Sequence, residues 1–172
     1  MKKIDIGKKE NIHLIGIGGI GMSGLAKIMK TIGLKVQGSD LKKNKNIDEC
    51  KKLGIKIFIG HSSSNIKKAT LIVKSSAVNN SNKEIKEAKR RKLPIFKRAE
   101  MLANIISLKK NIIITGSHGK TTTTSLVSKI LSESKLDPTI INGGVINSLK
   151  SNAKFGKGDW TVIEADESDG SF

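Results

Sequence analysis

The chain has 172 residues, which is enough for one ordinary domain or for one domain and part of a second. An apolar fraction of 37% and 17 glycines exclude a disordered or fibrous chain and are typical of an α/β protein. The formal net charge is +17, but the basic residues are almost all lysines spread along the chain and aromatic residues make up only 3%, so the composition argues against a nucleic-acid-binding module.

The first part of the chain alternates between short apolar runs and segments with apolar residues at helical spacing. Such alternation predicts a parallel sheet surrounded by helices, because short apolar strands of this kind are buried on both faces. We therefore expect a Rossmann-like domain at residues 1–108. Its strands are predicted at residues 12–17, 34–36, 55–59, 69–73 and 93–96, and its helices at residues 22–29, 47–53, 82–92 and 98–107.

A polar connection separates this domain from a second unit at residues 109–172. The second unit is predicted to run through strand 112–115, a glycine loop, a helix ending near residue 134, and strands 139–141 and 160–163. So few elements bury too little surface for a closed core. We expect the start of a P-loop-type α/β ATPase domain, and therefore a fragment of a longer protein.

The only cysteine, Cys50, excludes an internal disulfide, and no Cys/His cluster has the spacing of a metal site. The basic start of the chain is followed by polar residues where a signal peptide needs an apolar core. No apolar run approaches the roughly 20 residues of a membrane helix. We expect a cytoplasmic protein without a membrane partner.

The first glycine-rich turn, Gly16 to Gly21, matches the pattern G-x-G-x-x-G between a predicted strand and a predicted helix. Glycines there allow a tight turn, and the free N–H groups at the helix start can bind a diphosphate. Asp40 ends the second strand, where dinucleotide-binding folds place a ribose-binding carboxylate. The turn alone leaves NAD and other nucleotide diphosphates, such as UDP-sugars, open, and Asp40 is also consistent with a solvated turn residue.

A second glycine loop follows the strand at residues 112–115 and has the sequence GSHGKT. Its backbone N–H groups can surround phosphates, Lys120 can reach the β- and γ-phosphates of ATP, and the Thr121 hydroxyl can join a Mg²⁺ shell. The loop is shorter than the usual pattern, since Ile114 stands where the first glycine is expected. The following threonine run is a poor helix former, which argues against a helix that serves packing alone.

Glu164 is predicted at the carboxyl end of the last apolar strand, beside the second loop. A Mg²⁺ ion prefers oxygen ligands of this kind, so we expect Glu164 to bind the metal. Asp166, Glu167 and Asp169 follow, and each is equally consistent with a metal ligand or with an acidic loop before a helix.

Four segments in this order resemble the Mur ligases, and together they span nearly the whole chain. They are HLIGIGGIGMS at residues 13–23, RAEML at 98–102, the GSHGKT loop at 116–121 with His118 before the Gly-Lys pair, and EADESD at 164–169. The resemblance is strongest to the members that join L-alanine to UDP-N-acetylmuramate, and it favours a UDP-sugar over NAD at the first turn.

The resemblance implies an ATP-dependent ligase of peptidoglycan precursor synthesis that forms an acyl phosphate on the muramic acid carboxylate before L-alanine attacks. It implies catalytic roles for His118, Lys120, Thr121 and Glu164, of which Thr121 and Glu164 would bind Mg²⁺. The ATP site would comprise Gly116, Ser117, His118, Gly119, Lys120, Thr121 and Thr122. The UDP-sugar site would comprise Gly18, Gly19, Ile20, Gly21, Met22, Ser23, Ser39, Asp40, His61, Ser75, Ser76, Ala77 and Arg98.

Several alternatives stay open. His61 is also consistent with a turn histidine, His118 with a residue that only shapes the loop, and Asn142-Gly143-Gly144 with either a nucleotide contact or a turn. A ligase that joins UDP-N-acetylmuramate to a tripeptide, or an oxidoreductase or sensor that binds NAD or another nucleotide, would share parts of the pattern. The family has three domains, so we expect these 172 residues by themselves not to ligate.

Overall fold

A computed structural model describes residues 10–141, 153–154 and 156–164. The chain divides into two compact units, the first covering Met1–Leu102 and the second beginning at Ala103. This division falls within a helix, whereas the sequence places the boundary after residue 108. Asn142-Gly143-Gly144 and the acidic residues Asp166, Glu167 and Asp169 lie outside the described residues.

The first unit contains a sheet of five parallel strands, which confirms the predicted Rossmann-like α/β class. The strands are β1 (Asn11–Ile15), β2 (Lys35–Asp40), β3 (Lys56–Ile59), β4 (Leu71–Lys74) and β5 (Ile95–Lys97). Their order in the sheet is β3-β2-β1-β4-β5. The order reverses on the two sides of β1, and the carboxyl end at such a reversal is where open α/β sheets bind ligands.

In the described part of this unit, three helices connect these strands and a fourth follows the last strand, all at the predicted places. They are α1 (Ile20–Thr31), α2 (Lys45–Lys52), α3 (Lys83–Arg90) and α4 (Arg98–Ser107), with a short 3-10 helix at Ser63–Ile66 that the sequence does not predict. The core includes Leu14 of β1 and Leu25 and Met29 of α1, which are all fully buried. The polar residues buried in the same unit include His13, Ser39 and Glu84.

The second unit contains a four-stranded sheet with the order β6-β9-β7-β8. Its elements are β6 (Lys110–Ile114), α5 (Lys120–Glu133), β7 (Thr139–Ile141), β8 (Ala153–Lys154) and β9 (Trp160–Glu164). Strands β6 and β7 pair with β9 in parallel, while β8 pairs with β7 antiparallel. The sequence does not predict β8, because two residues are too few to show an alternation. Among the described residues, no helix combines the length and apolarity needed to cross a membrane.

Candidate functional site

The first candidate site is built on the turn between β1 and α1. The N–H groups of Gly16 and Ile17 both donate to the carbonyl of Ser39, at 2.8 and 3.0 Å, which fastens the turn to β2. Gly16 has a φ of +82°, and a Cβ atom there would lie 3.0 Å from the Cβ of Ser75. Both the backbone conformation and the close approach of Ser75 therefore require glycine at this position.

Side chains from β2 and α2 hold Gly18 from both sides. Its N–H donates to Asp40 Oδ2 at 2.8 Å, and its carbonyl accepts from the side-chain amides of Asn44 and Asn46 at 3.0 and 2.8 Å. A Cβ atom on Gly18 would lie 2.9 Å from both Asp40 Oδ2 and Asn44 Nδ2. One oxygen of Asp40, the carboxylate predicted to bind ribose, is thus engaged in shaping the loop.

The amino end of α1 carries no capping side chain. Its N-cap is Gly19, whereas α2 and α3 are capped by the Asn44 and Asn82 side chains, which accept hydrogen bonds from backbone N–H groups. The first turn of α1 also contains no acidic residue. An uncapped helix start directs N–H groups and a positive dipole outward, and this arrangement suits a phosphate group.

A pocket of about 450 Å³ opens beside this turn in the first unit. Six of the residues predicted to bind the UDP-sugar line it, namely Gly18, Gly19, Asp40, His61, Ser75 and Ala77. Six further residues line it that were not predicted as site residues, namely Gly16, Leu41, Asn44, Val78, Asn79 and Asn82. The sequence does contain a signal for four of them: Leu41 and Asn44 follow the carboxyl end of β2, and Asn79 and Asn82 follow that of β4, which is the edge of a parallel sheet where ligands bind.

The other predicted UDP-sugar residues do not line the pocket. Met22 and Ser23 are buried in α1, and Ser39 is buried at the end of β2. The guanidinium of Arg98 packs against Gly21, with Cζ 3.3 Å from where a Cβ atom would stand. The two remaining residues, Ile20 and Ser76, are exposed.

A buried carboxylate lies behind His61. Glu84 is fully buried, and its Oε2 accepts from the Ser39 hydroxyl at 2.6 Å and lies 3.0 Å from His61 Nδ1. Its Oε1 accepts from Asn65 Nδ2 at 2.6 Å. Burial by itself would raise the pKa of the Glu84 carboxyl, but the contacts with His13, Ser39 and Asn65 outweigh it, so the pKa lies below its ordinary value of 4.5. Glu84 is therefore a carboxylate at neutral pH.

The second candidate site lies at the carboxyl ends of β6 and β9. The two strands are in register at Ile114 and Glu164, so Glu164 stands beside the start of the glycine loop. The hydroxyl of Thr121, in the first turn of α5, donates to Glu164 Oε1 at 2.9 Å. The structure thus brings together the two residues predicted to bind Mg²⁺, and their hydroxyl and carboxylate oxygens match the donors that this ion prefers.

The glycine loop leads directly into α5. Gly119 is the N-cap with a φ of 76°, a left-handed conformation that favours glycine, and it supplies no capping side chain. Lys120 Nζ donates to the carbonyl of Gly116, which folds the side chain back over the loop. Ser117 and His118 are exposed, as is Thr122. The loop therefore presents an uncapped helix start, a lysine and the Thr121 and Glu164 pair within one unit.

Comparison with known proteins bears on both units. The family model described as "Mur ligase family, catalytic domain" matches residues 11–110, and the "Mur ligase middle domain" model matches residues 114–165. Among curated relatives, a UDP-N-acetylmuramate–L-alanine ligase from Pelagibacter ubique is 65% identical over 99% of the chain, which covers 37% of that protein. The same enzyme from Parvibaculum lavamentivorans is 55% identical over 98% of the chain, which covers 34% of that protein.

Solved structures give the same result. A UDP-N-acetylmuramate–alanine ligase from Thermotoga maritima is similar with a TM-score of 0.68 and 37% identity, over 92% of this chain and 37% of that one. A ligase from Neisseria meningitidis, named for UDP-N-acetylmuramate and the peptide L-alanyl-γ-D-glutamyl-meso-diaminopimelate, gives a TM-score of 0.67 and 29% identity, over 93% of this chain and 53% of that one. The chain spans roughly a third of the length of the curated relatives it matches. Since the first family model alone matches more than half of its residues, the chain belongs to the Mur ligase family.

Proposed function

We propose that the chain carries the UDP-sugar-binding part and the phosphate loop of an ATP-dependent ligase that joins L-alanine to the carboxylate of UDP-N-acetylmuramate in peptidoglycan precursor synthesis. The observation that carries the proposal is the hydrogen bond between Thr121 and Glu164 beside the uncapped start of α5. An oxidoreductase that binds only NAD has no use for a second phosphate loop with an oxygen-donor pair. The identities of 65% and 55% to alanine-adding relatives support the choice of substrate.

In the first unit, we assign the pocket beside α1 to the UDP-sugar. The uncapped start of α1 provides N–H donors for the diphosphate, and Gly18, held by Asp40, keeps the turn in the shape that leaves room for it. His61 and Ser75 offer polar atoms at the pocket wall. These features bind and orient the substrate, while the chemistry takes place on its carboxylate.

In the second unit, we assign the loop to the ATP phosphates. The N–H groups at the start of α5 and the ammonium of Lys120 would stabilise the charge that develops during transfer, and His118 would lie at the exposed rim of the loop. Thr121 and Glu164 would hold Mg²⁺, which supplies neutralisation of phosphate charge when bound. The γ-phosphoryl group passes to the carboxylate of the muramic acid, and the amine of L-alanine then displaces phosphate from the acyl phosphate. Both nucleotide substrates are cytoplasmic metabolites, so we also propose a cytoplasmic location.

Calorimetric titration of the chain with UDP-N-acetylmuramate, UDP and NAD tests the first assignment. We expect heat of binding with UDP-N-acetylmuramate and none with NAD. Lys120→Ala serves as a matched control, because it changes the other unit and should leave UDP-sugar binding intact. Binding of NAD together with no heat from the UDP-sugar would refute the proposal.

A second candidate is a ligase that adds a peptide instead of L-alanine. The Neisseria meningitidis ligase has nearly the same TM-score as the alanine ligase from Thermotoga maritima, 0.67 against 0.68, so the fold alone does not separate them. The higher identity to the alanine ligase, 37% against 29%, favours L-alanine. Phosphate release by the full-length protein with L-alanine or with tripeptide would decide between the two.

A further inference from the structure

We infer that the buried carboxylate of Glu84 is a positioning residue for the pocket: it fixes the ring proton of His61 on Nδ1 and so leaves Nε2 for a polar group of the nucleotide sugar. The inference rests on the proposed UDP-sugar site. It concerns a residue that does not line the pocket and that the sequence gives no reason to single out.

The position of Glu84 links the pocket to the interior of the first unit. It is the second residue of α3, directly after the capping turn at Asn82, which lines the pocket. Its carboxylate is fully buried, whereas the side chain of His61 is 14% exposed and also lines the pocket. Glu84 thus stands on the inner side of the histidine and the pocket on its outer side.

A fully buried carboxylate is costly unless hydrogen bonds and charge stabilise it. Three side chains do so here, because Oε1 accepts from Asn65, and Oε2 accepts from Ser39 and faces His61. The donors come from three different elements: β2, the segment after β3 and the 3-10 helix. An apolar side chain at this place would serve packing without these requirements, so the carboxylate points to a role beyond packing.

The hydrogen bonds among Glu84, His61 and Ser39 determine which atoms carry protons. An ionised carboxylate can only accept, so the His61 proton must lie on Nδ1, where it is shared with Ser39 Oγ at 3.1 Å. The Ser39 hydroxyl has its own proton directed at Glu84 and can accept with its lone pairs. Nε2 makes no hydrogen bond within the described part of the chain, and it is the one polar atom of the ring left for a ligand.

A second histidine, His13, lies near the Glu84 carboxylate. His13 Nδ1 lies 3.1 Å from the Gln37 side-chain amide, which also donates to the carbonyl of Asn65 and is therefore oriented as a donor. The His13 proton accordingly lies on Nε2, which is 3.6 Å from Glu84 Oε2, beyond a hydrogen bond but within favourable electrostatic reach. Of the described titratable groups, His13 on β1 and His61 after β3 face the carboxylate, while β2 and the 3-10 helix present only neutral polar groups to it.

The test combines a spectroscopic and a binding measurement. The ¹⁵N shifts of the His61 ring in the ligand-free chain report which nitrogen carries the proton, and we expect Nδ1–H in the unchanged protein and loss of this preference in Glu84→Gln. We expect Glu84→Gln and His61→Ala each to weaken binding of UDP-N-acetylmuramate about tenfold, as for one lost hydrogen bond to a ligand, and the double variant to be no weaker than either.

Glu87→Gln is the matched control, because Glu87 lies on the same helix and pairs with Arg90 at the surface. It should leave both the tautomer and the affinity unchanged. If Glu84→Gln keeps the Nδ1–H form and the full affinity, the inference is overturned while the UDP-sugar site stands. If the unchanged protein binds no UDP-sugar, the proposed function fails, and the tautomer measurement still decides whether Glu84 orients His61.

Discussion

Replacing Gly18 by alanine perturbs the turn at its tightest point. The added Cβ would lie 2.9 Å from Asp40 Oδ2 and from Asn44 Nδ2, and 3.1 Å from Ile47 Cδ1, so these side chains must move. Their movement breaks the hydrogen bonds of Asp40 and Asn44 to the Gly18 backbone. One such bond is neutral and contributes about 1 kcal/mol, and the other involves a carboxylate and contributes about 1.5–3 kcal/mol. We expect Gly18→Ala to destabilise the first unit by about 2–4 kcal/mol.

Thermal unfolding followed by circular dichroism measures this loss, which should lower Tm by at least about 8 °C. Calorimetry should also show weaker UDP-N-acetylmuramate binding at a temperature where the variant is folded. Gly19→Ala is the matched control, since the atom nearest to its added Cβ is the Gly16 carbonyl oxygen at an ordinary 3.4 Å. We expect Gly19→Ala to cost less than about 1 kcal/mol. Equal Tm values for the two variants would refute the reasoning.

Three further predictions concern single side chains. Glu164→Gln should weaken Mg²⁺-dependent ATP binding at least about tenfold in calorimetry without changing UDP-sugar binding, because the partner of Thr121 loses its charge; equal ATP affinities would contradict it. The pKa of Glu84 is lowered in the fold, so its ionised form stabilises the protein above about pH 4.5, and this contribution is lost as the pH falls further. Glu84→Gln should therefore make Tm depend less on pH in the acid range, and an unchanged dependence of Tm on pH would contradict this. Lys109→Met should destabilise the second unit by about 2–4 kcal/mol in urea unfolding, because the ammonium of Lys109 donates to Thr139 Oγ1 and to two backbone carbonyls. As a control, Lys129→Met at the surface should change the free energy of unfolding by less than about 0.5 kcal/mol.

The sequence predicts those parts of the fold that depend on local pattern. Apolar runs followed by glycines identify both strand-loop-helix units, because the tight turn and the strand before it leave their signal in neighbouring residues. The approach of Thr121 and Glu164 also follows from the sequence, since the carboxyl ends of parallel strands lie at one edge of a sheet. Here a general rule of topology brings together residues that are distant in the chain.

The sequence does not predict contacts that depend on a particular tertiary neighbour. Glu84 stands among lysines in a segment whose charge pattern indicates a solvated helix, and its burial depends on side chains that are distant in the chain, such as those of Ser39 and Asn65. Asp40 is correctly expected at the end of β2, but its hydrogen bond to Gly18 depends on how closely the turn approaches that strand. Such contacts depend on differences of a few tenths of an ångström in the distance between side chains, and the spacing of apolar residues in the sequence does not reveal these differences.

The uncapped starts of α1 and α5 have a consequence for the ligand-free protein. Asparagine side chains satisfy the first N–H groups of α2 and α3, whereas Gly19 and Gly119 leave those of α1 and α5 to solvent. A glycine in place of a capping side chain costs a helix a few tenths of a kcal/mol, about 0.3, so both glycine-led helices begin with a small deficit. A bound phosphate would take the place of the missing cap. Phosphate binding at these sites should therefore slow amide hydrogen exchange in the first turns of these two helices more than in the first turns of α2 and α3, and it would couple the order of each helix start to its ligand.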